Sequence, residues 1–237
     1  MGHRRVTIAV GVALVTLAAG CVTSREAGPP ISGSTTRVYA TTTPPASGPA
    51  TPGTPAPTTP APTTRPSGGA RYVFPVAGRT SYGRTHHDYP ATDIFAPCGT
   101  TVRAATDGVV LEVSRVDRYD ANDDDGSERG GLFVSILGDD GVRYYGSHLR
   151  SVRTGIDTGV RVRRGQPVGA VGDTGRASAC HLHFGVSPPC ARTGDWWVRR
   201  GVVWPYSYLD SWRAGGHASP VRAVSSWRAA HGCPGRP

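Results

Sequence analysis

The sequence contains no lysine. All 26 of its basic residues are arginine, and they outnumber the 17 acidic residues to give a formal net charge of +9. A protein with this excess of positive charge is attracted to anionic polymers and lipid headgroups. Nucleic acid is not the expected partner, because the sequence has neither a basic helix nor an RNA-binding motif that combines aromatic and basic residues.

The sequence also lacks an apolar run long enough to span a bilayer. The longest run, Val6–Ala19, falls short of the roughly 18 to 20 residues that a transmembrane helix needs. Arg4 and Arg5 precede it and small residues follow, so residues 1–20 are predicted to be a secretory signal peptide. The exit sequence LAAGC resembles a bacterial lipobox, which predicts lipidation of Cys21 and a membrane anchor facing the cell wall. Plain secretion is the alternative.

Cysteine is scarce, and export changes its interpretation. Apart from Cys21, the chain has four cysteines, an even number that in an oxidising compartment favours disulfides over thiolate metal ligands. Four cysteines allow three pairings. We expect Cys180 to pair with Cys190, closing a short loop after the sequence HLHF. Cys98 would then pair with Cys233 by elimination and hold the C-terminal tail.

Large aliphatic and aromatic residues are almost absent from residues 21–70, where Pro, Thr, Ser, Gly and Ala dominate. Such a segment cannot bury a core, and proline favours the extended polyproline II conformation. At roughly 3.1 Å per residue it would reach on the order of 100 Å. We interpret it as a disordered spacer that carries a folded domain away from the membrane.

The folded part is predicted over residues 71–214, with a C-terminal extension over residues 215–237. No segment in it shows a sustained helical period, whereas short runs of β type alternate with turns. The predicted class is therefore all-β, an antiparallel sandwich or barrel with long loops. The runs are Thr101–Ala105, Gly108–Ser114, Leu132–Leu137, Val142–Gly146, Val160–Arg163, Pro167–Val171 and His181–Val186.

Two segments with unusual composition have plain structural interpretations. The acidic loop Arg115–Gly131 fails the EF-hand pattern, because Ala121 and Leu132 would occupy ligand positions, so a solvated hairpin loop is expected. The tail DWWVRRGVVWPYSYLDSWRAGG is rich in Trp, Tyr and Arg. Packing on the back of the sheet is favoured for its tryptophans, and the lining of a substrate groove is the alternative.

The sequence HLHF places His181 and His183 on one face of a strand, with Leu182 and Phe184 on the other. Two neighbouring buried histidines need polar partners, and a metal ion supplies them efficiently. A pair of surface histidines on an edge strand is the competing interpretation.

A second group of polar residues stands in THHDYPATD, which contains His86, His87 and Asp93. Neutral imidazoles combined with one carboxylate suit zinc, and a coordination position left to water makes such a site catalytic. A polar surface loop is the alternative. His148, in YYGSHL, is the third element.

Taken in order, these motifs resemble the M23 family of zinc metallopeptidases, of the lysostaphin and LytM type. Its members carry His-x(3)-Asp with a Gly-Thr-x-Val-x-Ala turn, Tyr-x-His-Leu, Gly-Gln-x-Ile-Gly and His-x-His. The counterparts here are HDYPATDIFAPCGTTVRAATDGVV, YYGSHL, RRGQPVGAVGDTG and CHLHFGVS. Because arginine without lysine is typical of a GC-rich genome, the chain is similar to an actinobacterial lipoprotein of this type.

The resemblance implies that Zn²⁺ is bound by one of His86 and His87, by Asp93 and by His183. It implies catalytic roles for His148 and His181. The family spaces its first histidine and its aspartate four residues apart, whereas His87 and Asp93 are six apart. An insertion within DYPAT explains the difference, with His87 as the first choice of ligand, His86 as the second, and Tyr89 as a lesser candidate that is better explained as structural.

The implied activity is hydrolysis of peptide bonds in peptidoglycan, either in cross-links or in stem peptides, by an exported endopeptidase. The alternative is a catalytically inactive domain of the same fold that binds the wall or activates another hydrolase. Peptidoglycan is the expected partner under either interpretation.

Overall fold

The computed structural model describes residues 71–237. The predicted signal peptide, Cys21 and the proline-rich spacer lie outside the described residues. The described chain forms ten strands followed by three helices. They are β1 (Ser81–Tyr82), β2 (Thr92–Phe95), β3 (Thr101–Arg103), β4 (Gly108–Ser114), β5 (Phe133–Gly138), β6 (Arg143–Ser147), β7 (Leu149–Val152), β8 (Arg161–Val162), β9 (Pro167–Val171), β10 (His181–Ser187), α1 (Trp196–Arg199), α2 (Tyr206–Arg213) and α3 (Val221–His231).

The strands form two antiparallel sheets. A seven-stranded sheet has the order β1-β2-β10-β6-β5-β4-β8, and a three-stranded sheet has the order β3-β9-β7. The predicted class, antiparallel β, is confirmed. Every predicted run contains a strand, but β1, β2, β7 and the three helices were not predicted. The most consequential omission is β2, a strand of four residues that holds Asp93 and pairs with β10.

The core lies on the face of the large sheet opposite the paired histidines. Leu182 and Phe184 of β10 are buried there, as the alternation in HLHF predicts. Trp212 of α2 packs against the same core, with its ring 5.0 Å from that of Tyr72 and 6.2 Å from that of Phe184. The expectation that tail tryptophans pack behind the sheet is therefore confirmed for Trp212. Within residues 71–237, no helix has the length and apolar character needed to cross a membrane.

Two disulfides connect the elements, and the predicted pairing is wrong. Cys98 bonds to Cys180, and Cys190 bonds to Cys233, with a Cα–Cα distance of 5.3 Å in each pair. The first bond joins the turn after β2 to the residue before β10, because these two strands are neighbours in the sheet. The second bond joins the segment after β10 to the residue just beyond α3. The tail is tied down as expected, but through Cys190 rather than Cys98.

Candidate metal centre

The register between strands brings the candidate ligands together. β10 lies between β2 and β6, and His183 is directly opposite Asp93 on one side and Ser147 on the other. His148 follows Ser147 immediately and therefore lies at the same end of the sheet. Directly opposed residues on neighbouring strands have their side chains within contact distance on one face. His183 Nδ1 lies 3.0 Å from Asp93 Oδ1.

The loop between β1 and β2 supplies a second imidazole, that of His86. Its Nε2 lies 3.6 Å from Asp93 Oδ2, and its ring centre lies 4.9 Å from that of His183. His86, Asp93 and His183 each offer a ligand atom, and these atoms lie within 4.8 Å of one another. His87 is exposed and does not belong to this group. The predicted order of preference between the two histidines is therefore reversed in favour of His86.

Hydrogen bonds determine which nitrogen of His183 carries a proton. Its Nε2 donates to the backbone carbonyl of Arg200 at 2.9 Å, so the neutral ring presents an unprotonated Nδ1 to the carboxylate of Asp93. Two acceptors facing each other at 3.0 Å require a cation or a proton between them. Metal-binding histidines commonly donate their other N–H to a backbone carbonyl, as His183 does here.

His86 also lacks a hydrogen-bond partner that would explain its burial. Its Nδ1 is buried and unpaired among residues 71–237. Burial, and repulsion from the His183 ring when that ring is protonated, lower the pKa of His86 to about 4, although Asp93 acts in the opposite direction. A neutral imidazole is the form that binds metal. Two imidazole nitrogens and one carboxylate oxygen suit a divalent cation such as zinc, so the residues present fit the predicted metal.

Asp93 is the anionic centre of the group. Burial alone would raise its pKa. In the metal-free protein, a proton on His183 Nδ1 lets this ring donate a hydrogen bond to the carboxylate, and together with the charges of His183, His181 and His86 this lowers the pKa of Asp93 to about 2. The carboxylate is therefore ionised over the physiological pH range. Its side chain is 19% exposed, which leaves one side of the group open to the solvent.

His148 and His181 lie beside this group, with their ring centres 4.7 Å apart. His148 Nδ1 donates to the carbonyl of Thr174, and His181 Nδ1 donates to the carbonyl of Ala179, each at 2.8 Å. In the neutral rings, the Nε2 atom of each is therefore the unprotonated one. His181 Nε2 lies 3.7 Å from Asp93 Oδ1. The structure thus brings the predicted site histidines together in one cleft, which His87 also lines although it is not in the ligand group.

The backbone of His148 has a conformation that is rare for a residue with a side chain. Its φ is +60°, the one positive φ of a non-glycine residue in the described part of the chain. Such conformations are strained and concentrate at functional sites. The backbone N–H of His148 donates to Gly130 in the acidic loop, which helps to hold this conformation.

The histidines line a cleft of about 680 Å³. Arg129 and Gly130 of the acidic loop contribute to one wall, together with Arg176. Arg129 and Arg176 both bind the carboxylate of Asp124 in this loop. The loop joins the antiparallel strands β4 and β5 and is largely exposed, as expected of a solvated hairpin loop, and part of it also lines the cleft.

Comparison with known proteins relates part of the chain to a peptidase family. Residues 87–193 match the model of peptidase family M23. The chain is 34% identical over 114 residues to the peptidoglycan DD-endopeptidase ShyC of Vibrio cholerae, covering 48% of this chain and 22% of that protein. It is 30% identical over 161 residues to the L-Ala--D-Glu endopeptidase of Bacillus subtilis, covering 60% of this chain and 44% of that protein.

The chain thus spans less than half the length of these two curated relatives. Among solved structures, the catalytic domain of lysostaphin from Staphylococcus simulans is 25% identical, with a TM-score of 0.43. That comparison covers 56% of this chain and 93% of the lysostaphin domain.

The cleft also contains residues that the sequence motifs did not single out. Trp196, Arg199 and Arg200, at α1 and just after it, line the cleft with Tyr89 and Tyr145. Gly126 lets the acidic loop approach α1, because a Cβ atom there would collide with the indole ring of Trp196. The aromatic and basic composition of DWWVRR was the available signal. It did not distinguish the cleft-lining Trp196 from tryptophans that pack in the core.

Proposed function

We propose that this chain carries an M23 domain and is a zinc metalloendopeptidase that hydrolyses peptide bonds of peptidoglycan, in cross-links or stem peptides. The observation that carries the proposal is the cross-strand pair of His183 and Asp93 joined by His86, with an unprotonated nitrogen facing a carboxylate. The two curated relatives are named for peptidoglycan or peptide endopeptidase activity, which supports the substrate class.

The proposed ligands are His86, Asp93 and His183. Zinc held by them would polarise a peptide carbonyl and lower the pKa of water. The chain's own contribution is to hold these donors in place through the β2–β10 register and the hydrogen bond from His183 to Arg200. The partial exposure of Asp93 leaves access for a substrate from the cleft.

His148 and His181 are the proposed acid–base residues. Burial and the charges of His183 and His181 lower the pKa of His148 to about 3, so its ring is neutral near pH 7. A neutral ring can accept a proton at Nε2 and return it to the leaving amine. Once protonated, either imidazole can donate a hydrogen bond to the oxyanion that develops on the carbonyl.

The predicted export signals complete the proposal. A signal peptide over residues 1–20, lipidation of Cys21 and a spacer up to residue 70 would place the domain outside the cytoplasm, anchored in the membrane and within reach of the wall. Secretion without an anchor is the alternative. The positive net charge of the chain favours contact with an anionic wall or lipid surface.

The proposal is tested by incubating the zinc-loaded protein with isolated peptidoglycan and identifying the released peptides by mass spectrometry. We expect new amino termini at one type of peptide bond, and loss of the activity in His183→Ala. His87→Ala is the matched control and should retain activity, because His87 is exposed and outside the ligand group. Wall binding without cleavage, unchanged by zinc, would instead support the inactive binding or activating domain.

A further inference from the structure

Arg200 connects the metal centre to the far wall of the cleft. Its backbone carbonyl accepts the hydrogen bond from His183, and its side chain lies among the cleft residues. The guanidinium carbon is 4.0 Å from the centre of the Tyr89 ring and 5.3 Å from that of Trp196. Contact with two aromatic rings holds the planar guanidinium in one orientation.

The charge of Arg200 is not neutralised within the described part of the protein. Four arginines line the cleft: Arg129, Arg176, Arg199 and Arg200. The first two pair with Asp124, and Arg199 pairs with Glu112. Arg200 has no carboxylate partner and no side-chain hydrogen bond within residues 71–237, and its Nε atom is buried and unpaired.

The buried Nε–H group of Arg200 has no hydrogen-bond acceptor among the described residues, and this lowers the stability of the protein. A ligand that accepts a hydrogen bond from it would remove this destabilisation. Guanidinium groups bind carboxylates through two parallel hydrogen bonds, with geometric specificity that lysine does not provide. Because the aromatic contacts already orient the side chain, little conformational entropy remains to be lost on binding. The arrangement therefore suits a planar anion presented from the cleft.

We propose that Arg200 binds a free carboxylate of the peptide substrate, within three residues of the bond that is cleaved. The Tyr89 ring, against which Arg200 stacks, lies 5.7 Å from the ring of His183. Since the guanidinium carbon is 4.0 Å from the Tyr89 ring, it lies at most about 10 Å from the His183 ring, and three extended residues cover this span at about 3.3 to 3.6 Å each. This inference rests on the proposed function and deepens it: the preferred substrate is a stem peptide with a free carboxylate rather than an uncharged cross-bridge.

The test uses two synthetic stem peptides that differ only at the carboxyl group beside the scissile bond, free in one and amidated in the other. We expect the wild-type protein to cleave the free acid with a kcat/KM about 10- to 100-fold higher, as charge-assisted hydrogen bonds imply. Arg200→Gln should abolish this preference, because kcat/KM falls further for the free acid than for the amide. Arg200→Lys keeps the positive charge but not the two parallel N–H donors of the guanidinium group, so it should retain only part of the preference for the free acid.

Arg176→Gln is the matched control, because Arg176 lines the same cleft but is exposed and paired with Asp124. It should keep the full preference for the acid. Zinc content and thermal unfolding of each variant identify a protein that has lost its metal or its fold. If Arg200→Gln does not fold, the comparison of the two peptides on the wild-type protein still decides the matter.

Binding of the cleavage products, again as free acid and amide, is measured by calorimetry and does not depend on turnover. Tighter binding of the acid that disappears in Arg200→Gln supports the inference even if neither intact peptide is hydrolysed. In that case only the proposed function fails. Equal affinity of the wild-type protein for acid and amide overturns the inference, whether or not the peptides are cleaved.

Discussion

The imidazole of His183 joins two parts of the site that are distant in the sequence. One ring nitrogen faces Asp93 on β2, and the other binds the carbonyl of Arg200 beyond α1. His183 is 3% exposed, so its position is set by the protein rather than by the solvent. A histidine ring that is free to rotate would bind a metal ion less well, because no hydrogen bond would fix its orientation.

The choice between His86 and His87 is tested by metal content. We expect His86→Ala to lose stoichiometric zinc, because the ring beside Asp93 is removed, whereas His87→Ala should retain it. Zinc per protein after dialysis, measured by atomic emission, gives the answer. Loss of zinc in His87→Ala with retention in His86→Ala would restore the ligand that the motif spacing first favoured.

A substitution of His148 separates catalysis from metal binding. Asn tolerates the positive φ of this position better than most residues, so His148→Asn should keep the fold. We expect it to retain zinc and to lower kcat by about 10²- to 10⁴-fold, the usual contribution of a general acid or base. If kcat stays within twofold of the wild-type value, His148 has no role in proton transfer.

Strand β10 contributes to the site with one face and anchors it in the core with the other. Its histidines face the cleft, Leu182 and Phe184 fill the core, and the segment after α1 crosses close to Gly185. A Cβ atom on Gly185 would collide with the backbone carbonyl of Arg200, the same atom that accepts the hydrogen bond from His183. Glycine here therefore permits the close approach that orients His183.

Gly185→Ala should weaken the metal centre without touching a ligand. The added methyl group displaces the Arg200 carbonyl, and loss of such a supporting hydrogen bond costs about 10- to 100-fold in metal affinity or activity. Competition with a chelator measures the zinc affinity. Gly83→Ala is the control, because a Cβ atom there makes only an ordinary contact at 3.5 Å. Equal zinc affinity in the two variants would show that the packing at Gly185 does not matter.

For the whole molecule, burial of several histidines links stability to pH. The pKa of His148 is lowered to about 3 and that of His86 to about 4, from an ordinary value of 6.5. Between these values and pH 6.5 the unfolded chain binds more protons than the folded protein, so stability rises with pH in this window. The stabilisation is lost as pH falls below about 6.5.

We therefore expect the metal-free protein to be less stable at pH 5 than at pH 7. Urea unfolding at the two pH values, in the presence of a chelator, measures the difference. His148→Asn should reduce the difference, because one of the histidines that gain a proton on unfolding is absent. Asp93 does not contribute in this range, since its pKa is lowered to about 2. A pH difference in stability as large in the variant as in the wild type would contradict this explanation.

The order of motifs along the sequence was sufficient to predict the match to peptidase family M23, the antiparallel class and several residues that the structure brings together in the cleft. Alternation in HLHF determined that both histidines share a face, because successive side chains of a strand point to opposite sides. The predicted signal peptide, lipidation at Cys21 and spacer also rest on local composition alone. They lie outside the described residues and stay predictions.

Only the tertiary structure decided the features that depend on contacts between distant segments. The short strand β2 gains its stability from pairing with β10 rather than from its own four residues. Its local sequence therefore does not predict a strand. The same pairing places Cys98 beside Cys180 and thereby determines both disulfides. His86 rather than His87 reaches Asp93, and Arg200 reaches the cleft, because loops fold back onto the sheet in ways that spacing along the chain does not encode.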